Sequence, residues 1–103
     1  MKQYVIIYLG GDPPASPEAS QKNYAKYQEW LGSLGDAAIK PMVPFKNSHT
    51  VNPDGSVVEG SSVGMTGNTI VQAESIEQAI AYAKACPFLE INGTLEVAEI
   101  VEM

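Results

Sequence analysis

Tyr4-Val5-Ile6-Ile7-Tyr8-Leu9, followed at once by Gly10-Gly11-Asp12-Pro13-Pro14, is the stretch from which every other element of the chain is placed. β-branched and aromatic side chains favour a pleated backbone, and a Gly pair followed by a Pro pair ends it in a loop, so a short strand is predicted. Its alternation gives Val5, Ile7 and Leu9 to one face and Tyr4, Ile6 and Tyr8 to the other. Neither set is polar, so the strand is expected to be covered on both sides.

Downstream, Ser16-Pro17-Glu18 opens a helix with a capping side-chain oxygen, a Pro whose missing N–H costs nothing at the first position, and an acid near the positive end of the dipole. Tyr24, Tyr27, Leu31 and Leu34 recur at helical spacing and are predicted to form its buried stripe, with Gly35 as the stop. Ala37 to Phe45 is broken by Pro41 and Pro44, which restricts it to an edge strand or an extended connection. Asn52-Pro53-Asp54-Gly55 has Pro and Gly where a type I turn prefers them, so Ser48 to Val51 and Ser56 to Glu59 read as a hairpin. Small residues from Gly60 to Gly67 lead into a strand over Asn68 to Ala73.

Ser75-Ile76-Glu77-Gln78 is a capping box for a second helix, with Ile76, Ala79, Ile80 and Ala83 on one stripe and Cys86-Pro87 as its close. Thr94 to Val101 is the last strand, with Leu95, Val97 and Val101 on one side and Ala98 and Ile100 on the other. Strict alternation puts Glu99 on the apolar side.

The order strand, helix, strands, helix, strand predicts an α+β domain of the ferredoxin-like kind, an antiparallel sheet with two helices on one face. The opposite sheet face would be left bare and apolar, and soluble monomers rarely expose such a patch, so a homodimer with sheet against sheet is expected. All of this fits one domain over 1–103, since 103 residues at 45% apolar suffice for a single core without a disulfide or metal staple. The net charge of −6 comes from twelve carboxylates against six lysines, with no arginine, which argues against nucleic acid as a partner. The apolar run Tyr4 to Leu9 is too short for a membrane span or a secretory signal, so a cytoplasmic protein with no membrane partner is expected.

Tyr4-Val5-Ile6-Ile7-Tyr8 before Gly10-Gly11, then Trp30-Leu31-Gly32-Ser33-Leu34-Gly35-Asp36, resembles the opening of YCII-related domain proteins, a group overlapping the DGPF family. Ala83-Lys84-Ala85-Cys86-Pro87 and Gly93-Thr94-Leu95-Glu96-Val97-Ala98-Glu99 resemble one branch of that family, and the likeness covers essentially the whole chain. The resemblance implies a dimeric α+β barrel, a superfamily that includes small-molecule isomerases, lyases and oxygenases. Shorter members carry a proposed His and Asp pair, the His in the first helix and the Asp just before the Pro that ends the second. Here those positions hold Tyr24 and Cys86. Glu59-Gly60-Ser61-Ser62 stands roughly where the other branch has Asp-Gly-Pro-Phe.

His49 is the one side chain whose ordinary pKa lies near neutrality, which makes it the first candidate for acid–base work, against its plainer reading as a solvated strand histidine. Glu99, if buried among Leu95 and Val97, would serve as a second proton carrier; the plainer reading is the solvated end of a strand. Tyr8 and Trp30 are candidates to shape a pocket, Trp30 because it falls off the helix stripe, and Lys46 suits an anionic ligand. Cys86, at a helix C-terminus, reads as a small buried apolar residue rather than a nucleophile. One His and one Cys do not make a typical zinc site, and no cofactor is read from the sequence. The expected function is small-molecule binding in a cleft between helices and sheet, with isomerase- or lyase-type acid–base chemistry. The alternative is a non-catalytic dimeric module for interaction or regulation.

Overall fold

Eight regular elements follow one another in the computed structural model, which describes residues 1–13 and 15–101. They are β1 (Lys2–Gly10), α1 (Pro17–Leu34), β2 (Ala38–Pro44), β3 (His49–Val51), β4 (Val57–Glu59), β5 (Met65–Ala73), α2 (Ile76–Lys84) and β6 (Gly93–Glu99). Short 3-10 turns at Gly35–Ala37 and Pro87–Ile91 follow the two helices. Four strands form one sheet in the order β2-β5-β1-β6, every neighbouring pair antiparallel, while β3 and β4 form a separate two-stranded sheet. Without that hairpin the chain is strand–helix–strand, strand–helix–strand, and the ferredoxin-like architecture is the one observed.

Both helices begin as their sequences dictate. The Ala19 N–H donates to Ser16 Oγ at 3.1 Å, and the Gln78 N–H donates to Ser75 Oγ at 3.2 Å. Gln78 Oε1 reaches back one residue further than the usual box and accepts from the Glu74 N–H at 2.8 Å.

Tyr4, Ile6 and Tyr8 of β1 face the helices together with Thr69, Val71 and Ala73 of β5, and pack under Tyr27 and Trp30 of α1 and Ala79 and Ala83 of α2. Two stripe expectations change. The buried stripe of α1 is Tyr27, Trp30, Leu31 and Leu34, whose spacing extends backward to half-buried Asn23; Tyr24 lies one residue around the helix and is 61% exposed. On α2, Ala79 and Ala83 are buried but Ile80 lies open to solvent.

β5 begins at Met65 rather than at Asn68. Gly67 is part of the strand because a Cβ there would stand 2.7 Å from the Val43 carbonyl oxygen, so the small residues serve close strand approach. β2 is an edge strand interrupted by irregularities between Ala38 and Lys40 and between Lys40 and Val43, as its two prolines demand.

The opposite face of the sheet is centred on Val5, Ile7 and Leu9. Val5 lies between Ile70 and Ala98, whereas Ile7 lies between Asn68 and Glu96, so the apolar surface is a stripe along β1 with polar margins. The molecule measures 42 × 42 × 18 Å, a slab whose thin dimension accommodates one sheet plus one helix layer. No helix among the described residues is long and apolar enough to cross a membrane.

Candidate functional site

Where β1 ends, Gly10 and Gly11 take φ of 74° and 89°, a left-handed conformation that glycine adopts without steric cost. The turn carries Asp12 back over the end of α1. There the Asp12 N–H donates to the Ile91 carbonyl at 2.8 Å, and Asn92 Nδ2, itself in the left-handed region, donates to Asp12 Oδ2 at 2.6 Å. Below lies an open cleft of about 340 Å³ between α1, β2 and the ends of β1 and β5. Its walls are Tyr8, Tyr27, Phe88, Met42, Pro44 and Ile91, with Asp12, Asn23 and Thr66 adding polar groups.

The aromatic walls hold one another in place. Tyr8 stacks on Phe88 with centroids 5.0 Å apart and lies tilted to Tyr27 at 6.3 Å. The Tyr8 hydroxyl hydrogen-bonds the buried Thr69 hydroxyl, and Cys86 lies buried beside it. Burial raises both tyrosine hydroxyls above the ordinary phenol range and pushes the Cys86 thiol up to about 11. All three are therefore protonated at neutral pH, and the tyrosine walls of the cleft carry no charge. Asp12 is the one carboxylate among the described residues that line it.

These shifts fix a pH response. A thiol or phenol whose pKa is raised in the folded state stabilises the fold below its unfolded pKa, and that contribution is lost as pH rises toward the folded value. Stability is expected to hold to about pH 8.5, fall first through Cys86, and fall more steeply above about pH 10 as the tyrosines join, each group adding at most about 1.4 kcal/mol per pH unit. Urea midpoints from pH 7 to 11 check this, and Cys86→Ala should remove the first part of the decline.

The residues singled out from the sequence are dispersed. Tyr8 lines the cleft, and Lys46 follows two residues after the wall residue Pro44. His49 is exposed on the hairpin opposite Glu59, its Nδ1 2.8 Å from the Asn47 carbonyl oxygen. Glu99 lies opposite Tyr4, at the other end of the sheet, exposed and 3.7 Å from the Lys2 ammonium. It is the strand's last residue and is not enclosed by Leu95 and Val97. His49 and Glu99 are thus not brought together. Trp30, expected at a pocket rim or an interface, is buried, donating from Nε1 to the Tyr82 carbonyl at 2.9 Å, and borders a shallow pocket with Ser33 and Pro87, away from the Tyr8 cleft. Asp54 serves its own turn, accepting from the Ser56 N–H and hydroxyl, which hold its carboxyl below the usual range.

Sequence reading missed Asp12, Asn23 and Phe88. Asp12 had a signal, an acid straight after a Gly pair at the end of an interior strand. Asn23 and Phe88 had none, since only the meeting of α1 with the turn after α2 makes them neighbours of Tyr8.

The model of the YCII-related domain matches residues 3–103. The chain belongs to the YCII-related domain family. Among solved structures, this YCII-related chain is similar to 5-chloro-2-hydroxyhydroquinone dehydrochlorinase (TftG) from Burkholderia phenoliruptrix AC1100, in complex with 2,5-dihydroxybenzoquinone. The two share a TM-score of 0.60 and 20% sequence identity over 98% of this chain and 95% of that one, a likeness of fold. No curated protein matches the sequence.

Proposed function

We propose that the cleft binds a small planar organic molecule of the hydroxyquinone kind and shifts a proton on it, in isomerase- or lyase-type chemistry. The carrying observation is the aromatic cleft itself, with uncharged tyrosine walls and one lining carboxylate, Asp12, held by Asn92. A flat ring is favoured against the outer edge of the packed Tyr8, Tyr27 and Phe88 rings by its apolar faces, and its oxygens meet the polar groups of Asn23 and Thr66. Asp12 accepts a proton from the ligand and returns it at another position, while a tyrosine hydroxyl hydrogen-bonds the oxygen that gains charge. Of the residues singled out from the sequence, Tyr8 and Lys46 enter this reading as ligand contacts. Asp12 takes the proton-carrying role expected of His49 and Glu99. The quinone bound by TftG, a protein of similar fold, supports the choice of ligand class.

The working unit in this reading is a homodimer. Its support is the stripe of Val5, Ile7 and Leu9 on the uncovered face of a slab 18 Å thick. Val5→Lys, at the apolar centre of that face, is the variant that should split it.

Calorimetric titration with 2,5-dihydroxybenzoquinone tests the binding. One saturable site per chain is expected, weakened roughly tenfold or more by Asn23→Trp, which fills the cleft from α1. Asp12→Asn should keep the binding but slow exchange of the ring hydrogens with solvent deuterium by about 10²-fold. No saturable binding, or binding indifferent to Asn23→Trp, would overturn this reading in favour of a non-catalytic dimeric module.

A further inference from the structure

Besides the open sheet face, two apolar surfaces have no partner among the described residues. One is the β3–β4 hairpin, where Val51 and Val57 form an exposed cross-strand pair, 68% and 61% accessible, and Val58 and Val63 are also open. The other is a groove of about 470 Å³ between α2 and β6, lined by Ile76, Ile80, Ala83, Leu89, Leu95 and Val97. An apolar arm at one place and an apolar groove at another, each left wet, is the pattern of a surface completed by association.

The topology puts them at opposite margins. The arm leaves the sheet from β2, one edge strand, and the groove runs beside β6, the other edge strand. The whole sheet width thus separates the root of the arm from the groove of its own chain. If two sheets stack face to face about a two-fold axis along the strands, β2 of one copy lies over β6 of the other. The groove lies on the helix side of β6, so each arm reaches it by passing round its partner's β6 edge, and the same contact is made twice.

Charge agrees with this pairing. Residues 48–60 carry Asp54 and Glu59 and no lysine or arginine, whereas the one charged side chain among the described residues lining the groove is Lys84. The arm, negative and tipped with valine, fits an apolar groove bordered by a cation.

We propose that the β3–β4 hairpin is a docking arm that lies in the α2–β6 groove of a second copy of this chain. It rests on the homodimer reading, and it extends the interface from the sheet face to the helix layer. Because β1 leads to the cleft at one end and Val5 lies at the shared face, the arm would also fix the orientation of the two cleft-bearing layers.

Sedimentation velocity over a dilution series tests it on four proteins, the wild type, Val5→Lys, Val57→Asp and Ile80→Asp. The last two replace exposed side chains, and thermal melts confirm that each is folded. Val57→Asp and Ile80→Asp are each expected to weaken the dimer roughly tenfold or more. In a dimer mixed from isotope-labelled and unlabelled chains, intermolecular methyl contacts between Val57 and Ile80 are expected in the NMR spectrum, a readout that needs no variant. A dimer split by Val5→Lys yet unchanged by Val57→Asp and Ile80→Asp, without those contacts, overturns the arm alone. A wild type that stays monomeric overturns the homodimer reading and the arm together.

Discussion

Gly93→Ala is expected to destabilise the fold by about 3 kcal/mol, at the upper end of ordinary overpacking. A Cβ at residue 93 would stand 2.2 Å from two ring carbons of Phe88 and 2.7 Å from the Phe88 carbonyl oxygen. Flexible side chains absorb such intrusions by swinging aside, but this ring is held. It stacks on Tyr8, and its far edge lies under Gly11, where a Cβ would already be only 2.8 Å away. The backbone from Pro87 to Gly93 must therefore shift, pulling on the Asn92 contact that orients Asp12. Urea denaturation should show a lowered midpoint with an unchanged slope. Adding Phe88→Ala removes the ring clash but not the carbonyl clash, so the double variant should lose less than the sum of the single losses.

The second large effect is at Trp30. This residue is buried between α1 and the C-terminal part of α2, and its indole N–H bonds the Tyr82 carbonyl. Trp30→Ala should cost about 3–5 kcal/mol through lost packing and the cavity left behind. Trp30→Phe should cost far less, because the Tyr82 carbonyl keeps a second donor, the Ala85 N–H at 3.2 Å. Thermal melts of the two variants separate the share due to volume from the share due to the hydrogen bond.

Trp30 also marks the limit of what periodicity reveals. The β1 alternation and the Ser16 and Ser75 caps are local signals, carried by neighbouring residues, and each element they predict is present. The hairpin was legible for the same reason, since Asn52-Pro53-Asp54-Gly55 makes its turn without help from the rest of the chain. The stripe of α1 is legible at Tyr27, Leu31 and Leu34 and departs from its reading only at Tyr24 and Trp30, both aromatic, where only the position of α2 decides which is covered. The cleft was harder still. Tyr8 was named, but Asp12, Asn23 and Phe88 belong to three separate segments, and no spacing along the chain announces that they meet. His49 and Glu99 drew notice through their chemistry alone, while their places in the fold depend on strand register and on where β6 ends.

The irregular β2 edge has a bearing on solubility. Amyloid-like growth needs an unbroken row of backbone donors and acceptors along which a further strand can lie flat. Pro41 and Pro44 lack two of those donors, and the register offsets on either side of Lys40 break the pleat. A chain with this much exposed valine on its hairpin would otherwise invite filaments. With that margin spoiled as a template, a further strand finds no flat row on β2 along which to grow.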